Sequence, residues 1–360
     1  MNVIFTNSIF FLQKKGGISR YFVNLSKQLN ILKIKSKIIA PLSKNIYLDD
    51  LKEKKVLFYL NKIPNNYLTK KINDFLFNFF LKKENVDIIH ETYYNKNNFG
   101  ILKNKLKIIT VYDFIHEKFS HNYEKNKLLE KKIIFKHVDH FICISKKTQN
   151  DLLKYYKVSP KKTTVIYLGC DHLKKKDAAN INIDLPKIFF LYVGSRDGYK
   201  NFSLLVDALS SSNYFNKTKV VCFGGGKFSH KEIKKNKLNN NFINIQGDDN
   251  MLTYLYTKAL ALVNTSRYEG FGITNIEAMH LGCPVISSNF TTMQEIGHNS
   301  CLFFKNGNQN DLAKKIKFIL LNKNFRKTLI KKGYKRSKMF TWASCARDTK
   351  KLYSSLLKRN

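Results

Sequence analysis

The sequence predicts an α/β protein of two doubly wound domains, and three observations predict it. Apolar runs of strand length alternate with longer amphipathic stretches from one end of the 360 residues to the other. That rhythm is the pattern of parallel sheets covered by helices on both faces. It stops once, in the polar stretch HLKKKDAANINIDLP (residues 172–186), and restarts in the apolar run after Pro186. Composition agrees: 43% hydrophobic and 25% charged residues describe a globular protein rather than a disordered chain or a fibre.

In the first half the runs predict strands at Val3–Phe10, Ser36–Ala40, Val86–His90, Lys107–Tyr112, His140–Ile144 and Thr164–Leu168. Helical periodicity lies between them at Ile18–Leu32, Tyr67–Lys83 and Lys146–Tyr156. The second half predicts strands at Ile188–Val193, Lys219–Phe223, Phe242–Gln246, Ala259–Asn264 and Pro284–Ser288, with helices that include Phe202–Leu209 and Asn310–Asn322. The expected domains are residues 1–175 and 186–340, with a helix in 341–360 packing back toward the first. In such folds ligands bind beyond the carboxyl ends of the strands, so the cleft between two facing domains is the expected site.

The net charge of +38 invites a nucleic-acid reading. Two features weaken it. Of the 64 basic residues only seven are Arg, and Lys is the poorer bidentate reader of phosphates and bases. The charge is also spread evenly, residues 1–185 and 186–360 each carrying a net +19, where a binding tail would be lopsided. The excess of Lys, Asn, Ile, Phe and Tyr fits the codon bias of an AT-rich genome, and a basic surface facing anionic lipid or a phosphorylated substrate is the second reading. The six cysteines form no CxxC pair, and several sit inside apolar runs, as reduced buried thiols do. No apolar run is long enough to span a bilayer, and no signal peptide is evident, so a cytoplasmic protein is expected. A peripheral membrane contact through Tyr67–Lys83, with Phe75, Phe77, Phe79 and Phe80 among lysines, competes with core packing of those rings, and core packing is the expectation.

The chemistry concentrates in NTSRYEGFGITNIEAMHLGCPVISS, Asn264 to Ser288. A strand ends at Asn264, a loop carries Gly270 and Gly272, a short helix runs to about Leu281, and Gly282 caps it. Glycines ahead of a helix expose backbone N–H groups where the macrodipole is positive, so an anion can sit there. A carboxylate on the helix, Glu277, suits a vicinal diol such as a ribose, and one in the loop, Glu269, suits a hexose. A solvated strand–loop–helix connection would use the same residues for nothing.

The segment EGFGITNIEAM resembles the E-x7-E signature of retaining GT-B glycosyltransferases of family 4, the glycosyl transferases group 1, with bacterial surface-polysaccharide mannosyltransferases among the similar members. Other stretches extend the likeness in the expected order. LYVGSRDGYKNFSLLVDAL resembles the family's strand, phosphate-binding loop and helix, and GGISRYFVNL its glycine-rich turn. VYDFIHEKF, FICISKKTQNDL and VIYLGCD resemble the family's later stretches of the first domain.

The resemblance implies a two-domain GT-B enzyme with an N-terminal acceptor domain and a C-terminal nucleotide-sugar domain. It implies Lys200 as the diphosphate-binding and leaving-group residue, Glu277 on the ribose and Glu269 on the transferred sugar. Gly270, Phe271 and Gly272 would meet sugar and diphosphate, and Gly247 and Asp248 would lie beside the base. Ser195 and Arg196 fall in the phosphate loop. In many relatives the arginine directly follows the strand-ending glycine; here Ser195 does, with Arg196 one place on. In the first domain Gly16 and Gly17 would let the chain pass close to donor phosphate and acceptor. Asp113 and His116 fall on the acceptor side; many members have His directly before the Asp, where this chain has Tyr112. His116 is either catalytic or structural.

No aspartates stand at i and i+2, so the DxD metal site of the other large glycosyltransferase fold is absent from the sequence. Lys200 and helix dipoles would then stabilise the leaving group with no metal and no cofactor beyond the nucleotide sugar, UDP- or GDP-linked. The expected activity is transfer of a hexose, with retention, to a saccharide or lipid-linked acceptor in surface polysaccharide synthesis. A sugar-nucleotide epimerase or a phosphorylase on the same fold, and a basic nucleic-acid binder, are the rival readings.

Overall fold

The computed structural model describes residues 1–49, 51–60, 64–95, 105–119, 125–178, 181–211 and 215–359. The chain divides into two compact units, Met1–Gly169 with Trp342–Asn360, and Cys170–Thr341. The division falls ahead of the polar 172–186 stretch. His172 and Leu173 are already buried in the second unit, and Lys175 there donates to the Tyr334 hydroxyl.

The first unit holds a parallel sheet of β1 (Asn2–Phe5), β2 (Lys35–Ile39), β3 (Lys54–Lys55), β4 (Ile88–Glu91), β5 (Leu106–Val111), β6 (His140–Cys143) and β7 (Thr163–Val165), in the order β3-β2-β1-β4-β5-β6-β7. Val3, Phe5, Ile88, Ile108 and Ile142 are buried on one face of it and Ile4, Ile89, Ile109 and Phe141 on the other, as continuous apolar runs in a parallel sheet require. A separate two-stranded ladder joins Leu42–Ser43 to Phe58–Tyr59.

The second unit holds β8 (Phe189–Val193), β9 (Lys219–Phe223), β10 (Phe242–Ile245), β11 (Ala261–Asn264), β12 (Val285–Asn289) and β13 (Leu302–Lys305), all parallel, in the order β10-β9-β8-β11-β12-β13. Its core gathers Phe190, Phe202, Leu205, Val263, Ile286 and Ile316. In each unit the strand order reverses between the first strand and its fourth, which is where doubly wound sheets open a crevice.

The structure departs from the sequence reading in three places. The apolar run Val3–Phe10 is not one strand: β1 stops at Phe5 and a helix runs over Ser8–Leu12. The chain leaves the sheet at Thr6, whose hydroxyl is held by Glu91 and Thr92, and the Asn7 carbonyl then accepts from Phe10 and Phe11. Periodicity alone cannot divide a short apolar run in this way. Second, β13 and the helix Lys323–Ser337 had no clear signal, the strand being a four-residue run and the helix a lysine-rich one burying little beyond Leu329. Third, the aromatics of the helix Tyr67–Leu81 divide evenly: Phe77 is buried and Phe80 packs against the same core cluster, while Phe75 and Phe79 face outward.

The helix Trp342–Leu357 belongs to the first unit and lies on the helix Gly17–Ile31. A buried polar chain ties it in place. His90 in β4 bonds through Nδ1 to the Tyr353 hydroxyl at 2.6 Å and through Nε2 to Thr110 at 2.8 Å, and Thr110 reaches the Tyr21 hydroxyl.

Burial holds the His90 imidazole down at about 3, from 6.5. The unfolded chain takes up a proton that the folded one refuses. The stability from this group is therefore full above about pH 6.5 and is lost as pH falls from there toward 3. At about pH 5 the loss is about 2 kcal/mol. His140, held at about 4 chiefly by burial, adds to the same window. Melting of the wild type is expected to fall on acidification from about pH 7 to about pH 5, and His90→Gln to fall less steeply from a lower start. Equal slopes would place the acid sensitivity elsewhere.

Candidate functional site

Two loops build the site of the second unit, each leaving the carboxyl end of a strand at the point where the order reverses. β8 ends at Val193, and the chain turns through Gly194 and Ser195 into a 3-10 turn at Gly198–Lys200, then into the helix Phe202–Ser210. β11 ends at Asn264, and the chain runs through Thr265 to Gly272 into the helix Ile273–Leu281. Backbone and side chains stitch the loops together: Arg267 donates its N–H to the Tyr199 carbonyl at 2.7 Å, and the Thr265 hydroxyl donates to the Lys200 carbonyl at 2.9 Å. Behind them Asn264, Asn275 and Ser287 form a buried amide–hydroxyl relay.

This stitching brings Lys200 and Glu269 together. Lys200 Nζ stands 2.6 Å from Glu269 Oε1, and the Ser266 hydroxyl donates to the same oxygen at 2.7 Å. Both side chains keep an exposed edge. Gly272 heads the following helix at φ +80, in the left-handed region that favours glycine. A Cβ there would also collide with the Met293 methyl.

Glu277, on that helix, is buried. Its Oε2 accepts from the Tyr256 hydroxyl at 3.2 Å, and its Oε1 lies 3.3 Å from His172 Nε2. Tyr256 comes from the helix Asp249–Lys258, which Gly247 precedes and Asp248 caps by accepting from the Met251 N–H at 3.0 Å. The segment predicted beside the base therefore connects to the carboxylate predicted on the ribose. Phe271 is buried edge-on against Phe340, and Ser195 is exposed, its carbonyl held by the Tyr192 hydroxyl.

Arg196 is a correction. Its side chain is buried and turned away from Lys200, pairing with Glu232 and donating to the carbonyls of Gly224, Gly225, Gly226 and Lys227. Gly224, Gly225 and Gly226 all adopt positive φ, a run that only glycines make readily and that turns their carbonyls to the guanidinium. With its donors so occupied and Phe228 under its plane, Arg196 fixes the loop after β9 and is not placed to hold a donor phosphate.

In the first unit the reversal lies between β1 and β4, and a cavity of about 320 Å³ opens there. Asn7, Asp74, Asn95, Tyr94 and His116 are among its walls. Asp74 is buried and accepts from the Asn7 and Asn95 amides at 3.2 and 2.9 Å. Of the two residues predicted on the acceptor side, His116 lines the cavity. Asp113 does not: its carboxylate accepts from the Ile115 N–H at 3.1 Å, and burial pushes its pKa up against the opposing Lys131. Gly16 opens the helix Gly17–Ile31, its carbonyl accepting from Arg20 and Ser19, and a Cβ on Gly17 would meet nothing within 4 Å.

Sequence reasoning missed Thr265, Ser266, Tyr256 and His172 in the second unit and Asp74, Asn7 and Asn95 in the first. The run Asn264-Thr265-Ser266 at a strand's carboxyl end was the one readable signal. The others come from elements far apart in the chain.

Two doubly wound units with parallel sheets, joined in one chain, are the architecture of the GT-B class of glycosyltransferases. The model of the family "Glycosyl transferases group 1" matches residues 174–336, and that of "Glycosyltransferase Family 4" matches residues 15–172. The chain belongs to glycosyltransferase family 4. It is 28% identical over 361 aligned positions to an uncharacterized glycosyltransferase of Methanocaldococcus jannaschii, covering 95% of each chain. It is 26% identical to the N-acetylgalactosamine-N,N'-diacetylbacillosaminyl-diphospho-undecaprenol 4-alpha-N-acetylgalactosaminyltransferase of Campylobacter jejuni, over 72% of this chain and 65% of that one. Among solved structures, Anabaena HepE in complex with UDP-glucose superposes with a TM-score of 0.76 at 16% identity, over 99% of this chain and all of that one.

The contrast between the two loop cations is testable. Arg196→Ala is expected to destabilise the second unit by about 3 kcal/mol, since it leaves Glu232 unpaired and three glycine carbonyls without their donor. Lys200→Ala should leave the melting point nearly unchanged. Thermal melting of both variants checks this, and unchanged melting in Arg196→Ala with lost nucleotide binding would return Arg196 to the phosphate.

Proposed function

We propose that this glycosyltransferase moves a hexose from a nucleoside diphosphate sugar, UDP- or GDP-linked, to a saccharide or lipid-linked acceptor in surface polysaccharide synthesis, with retention of configuration. The observation that carries the reading is the Lys200–Glu269 pair at the reversal point of the second unit. The UDP-glucose in complex with HepE, and the lipid-linked saccharide in the name of the Campylobacter relative, support the donor and acceptor classes.

In this reading Lys200 exchanges the Glu269 carboxylate for the diphosphate. Its charge, with the backbone donors ahead of the helix Ile273–Leu281, stabilises the negative charge that grows on the leaving phosphate oxygen as the glycosidic C–O bond breaks. Glu269, released from the ammonium, accepts hydrogen bonds from the sugar, and Glu277 holds the ribose with Tyr256 and His172 behind it. The acceptor hydroxyl attacks from the face the diphosphate leaves, and a leaving phosphate oxygen takes its proton. Neutral amides and a carboxylate around the cavity of the first unit suit the hydroxyls of a saccharide acceptor, with His116 at its wall. Because Lys200 supplies the charge on the leaving group in this reading, turnover is expected to proceed in EDTA.

Two variants separate the roles. Lys200→Ala should lower kcat/KM by about a thousandfold and weaken UDP binding. Glu269→Gln should lower kcat by about a hundredfold while UDP binds as tightly as before or more so, because the ammonium no longer has a carboxylate to leave. Calorimetry with UDP and GDP, alongside donor-turnover assays with and without EDTA, reads all of this. Failure of every nucleotide to bind the wild type would sink the proposal.

A further inference from the structure

The helix Tyr67–Leu81 is amphipathic twice over. Its inner face buries Asn73, Asp74, Phe77 and Leu81. Its outer face carries Leu68, Ile72, Phe75 and Phe79, spaced four, three and four residues apart, which is a straight stripe along an α-helix. Leu68 is 65% exposed and Phe75 70%, with Tyr67 beside them at 72%. The segment Leu57–Leu60 adds exposed Leu57, Phe58, Tyr59 and Leu60. It is tied to the helix through its ladder partner: the Leu42 N–H donates to Asn73 Oδ1, and Lys55 Nζ lies 5.0 Å from the Phe80 ring. Scattered exposed hydrophobics are ordinary, but a contiguous run of them marks an interaction surface.

Charge identifies the occupant. Lys71, Lys82 and Lys83 flank the stripe, with Lys71 over Tyr67 at 4.6 Å and Lys83 over Phe79 at 4.1 Å. The one acid of the helix, Asp74, is buried on the opposite face. A second copy of a chain carrying +38 would be repelled from this surface. An anionic bilayer is attracted to it, because the rings enter the acyl boundary while lysines reach the headgroups.

We propose that the outer face of the helix Tyr67–Leu81, with the segment Leu57–Leu60, docks the first unit on an anionic phospholipid surface. The inference stands independently of the donor and acceptor assigned above.

The test uses the full-length chain with sedimenting vesicles of phosphatidylcholine, pure or mixed with phosphatidylglycerol. The wild type is expected to bind the mixed vesicles at low salt and to release at high salt. Phe75→Ser with Phe79→Ser should lose about tenfold in partitioning at an unchanged melting point and unchanged UDP binding. Lys71→Glu with Lys82→Glu should lose the preference for phosphatidylglycerol, whereas the same charge change on the second unit, Lys327→Glu with Lys331→Glu, should not. Phe75→Trp gives a second readout, since emission should shift to the blue on mixed vesicles. No binding by the wild type, equal binding by the serine variant, equal loss in the two lysine variants, or no emission shift would each overturn the proposal. So would a dimer in sedimentation equilibrium that the serine variant abolishes, which would assign the face to a second copy.

Discussion

The second unit depends on the adjacency of β8 and β11. These strands are hydrogen-bonded neighbours at Phe190–Ala261 and Leu191–Leu262, yet their connections run to opposite sides of the sheet, one toward β9 and the other toward β12. No connection crosses the gap above their carboxyl ends, so two loops remote in sequence share one crevice. Lys200 and Glu269, sixty-nine positions apart, meet there. An ion pair half withdrawn from water contributes little net stability, because the desolvation of both groups offsets most of their attraction. Such a pair is suited to exchange one anion for another. That is why its position matters more than its strength.

Arg196 and Lys200 show how backbone geometry sorts two cations of one loop. Both lie between β8 and the helix Phe202–Ser210, and charge alone would send either to a phosphate. The three left-handed glycines after β9 present a cluster of carbonyls that only a planar, many-donor group can satisfy, and Glu232 completes it. The guanidinium is drawn into that cluster, and the compact ammonium is left at the crevice. The loop after β9 is held in shape by the same bonds, so the arginine supports the crevice without facing it.

The alternation of runs made both sheets legible, and Lys219–Phe223 and Lys146–Tyr156 agree with the sequence residue for residue. The loop and helix from Glu269 to Gly282 were equally plain, because their glycines, carboxylates and helix sit within one continuous stretch. The hidden features have a common cause. Asp74 meets Asn7 and Asn95, and Glu277 meets His172 and Tyr256, through contacts between elements that neither periodicity nor spacing relates. The split of Val3–Phe10 was hidden for a different reason: a buried strand and a buried short helix are equally apolar, and only the side-chain bonds of Thr6 decide where one ends.

The helix Tyr67–Leu81 carries apolar side chains on two faces. Hydrophobic periodicity registers that a helix has an apolar face, but it does not say how many faces are apolar or which one the core takes. Here the core takes Phe77 and Leu81 with Phe80 packed beside them, and polar Asn73 and Asp74 line the cavity beside β1 and β4. Placing polar groups inward leaves more of the helix's apolar residues on the outside than a simple surface helix would carry. The exposed rings are thus the counterpart of the buried carboxylate.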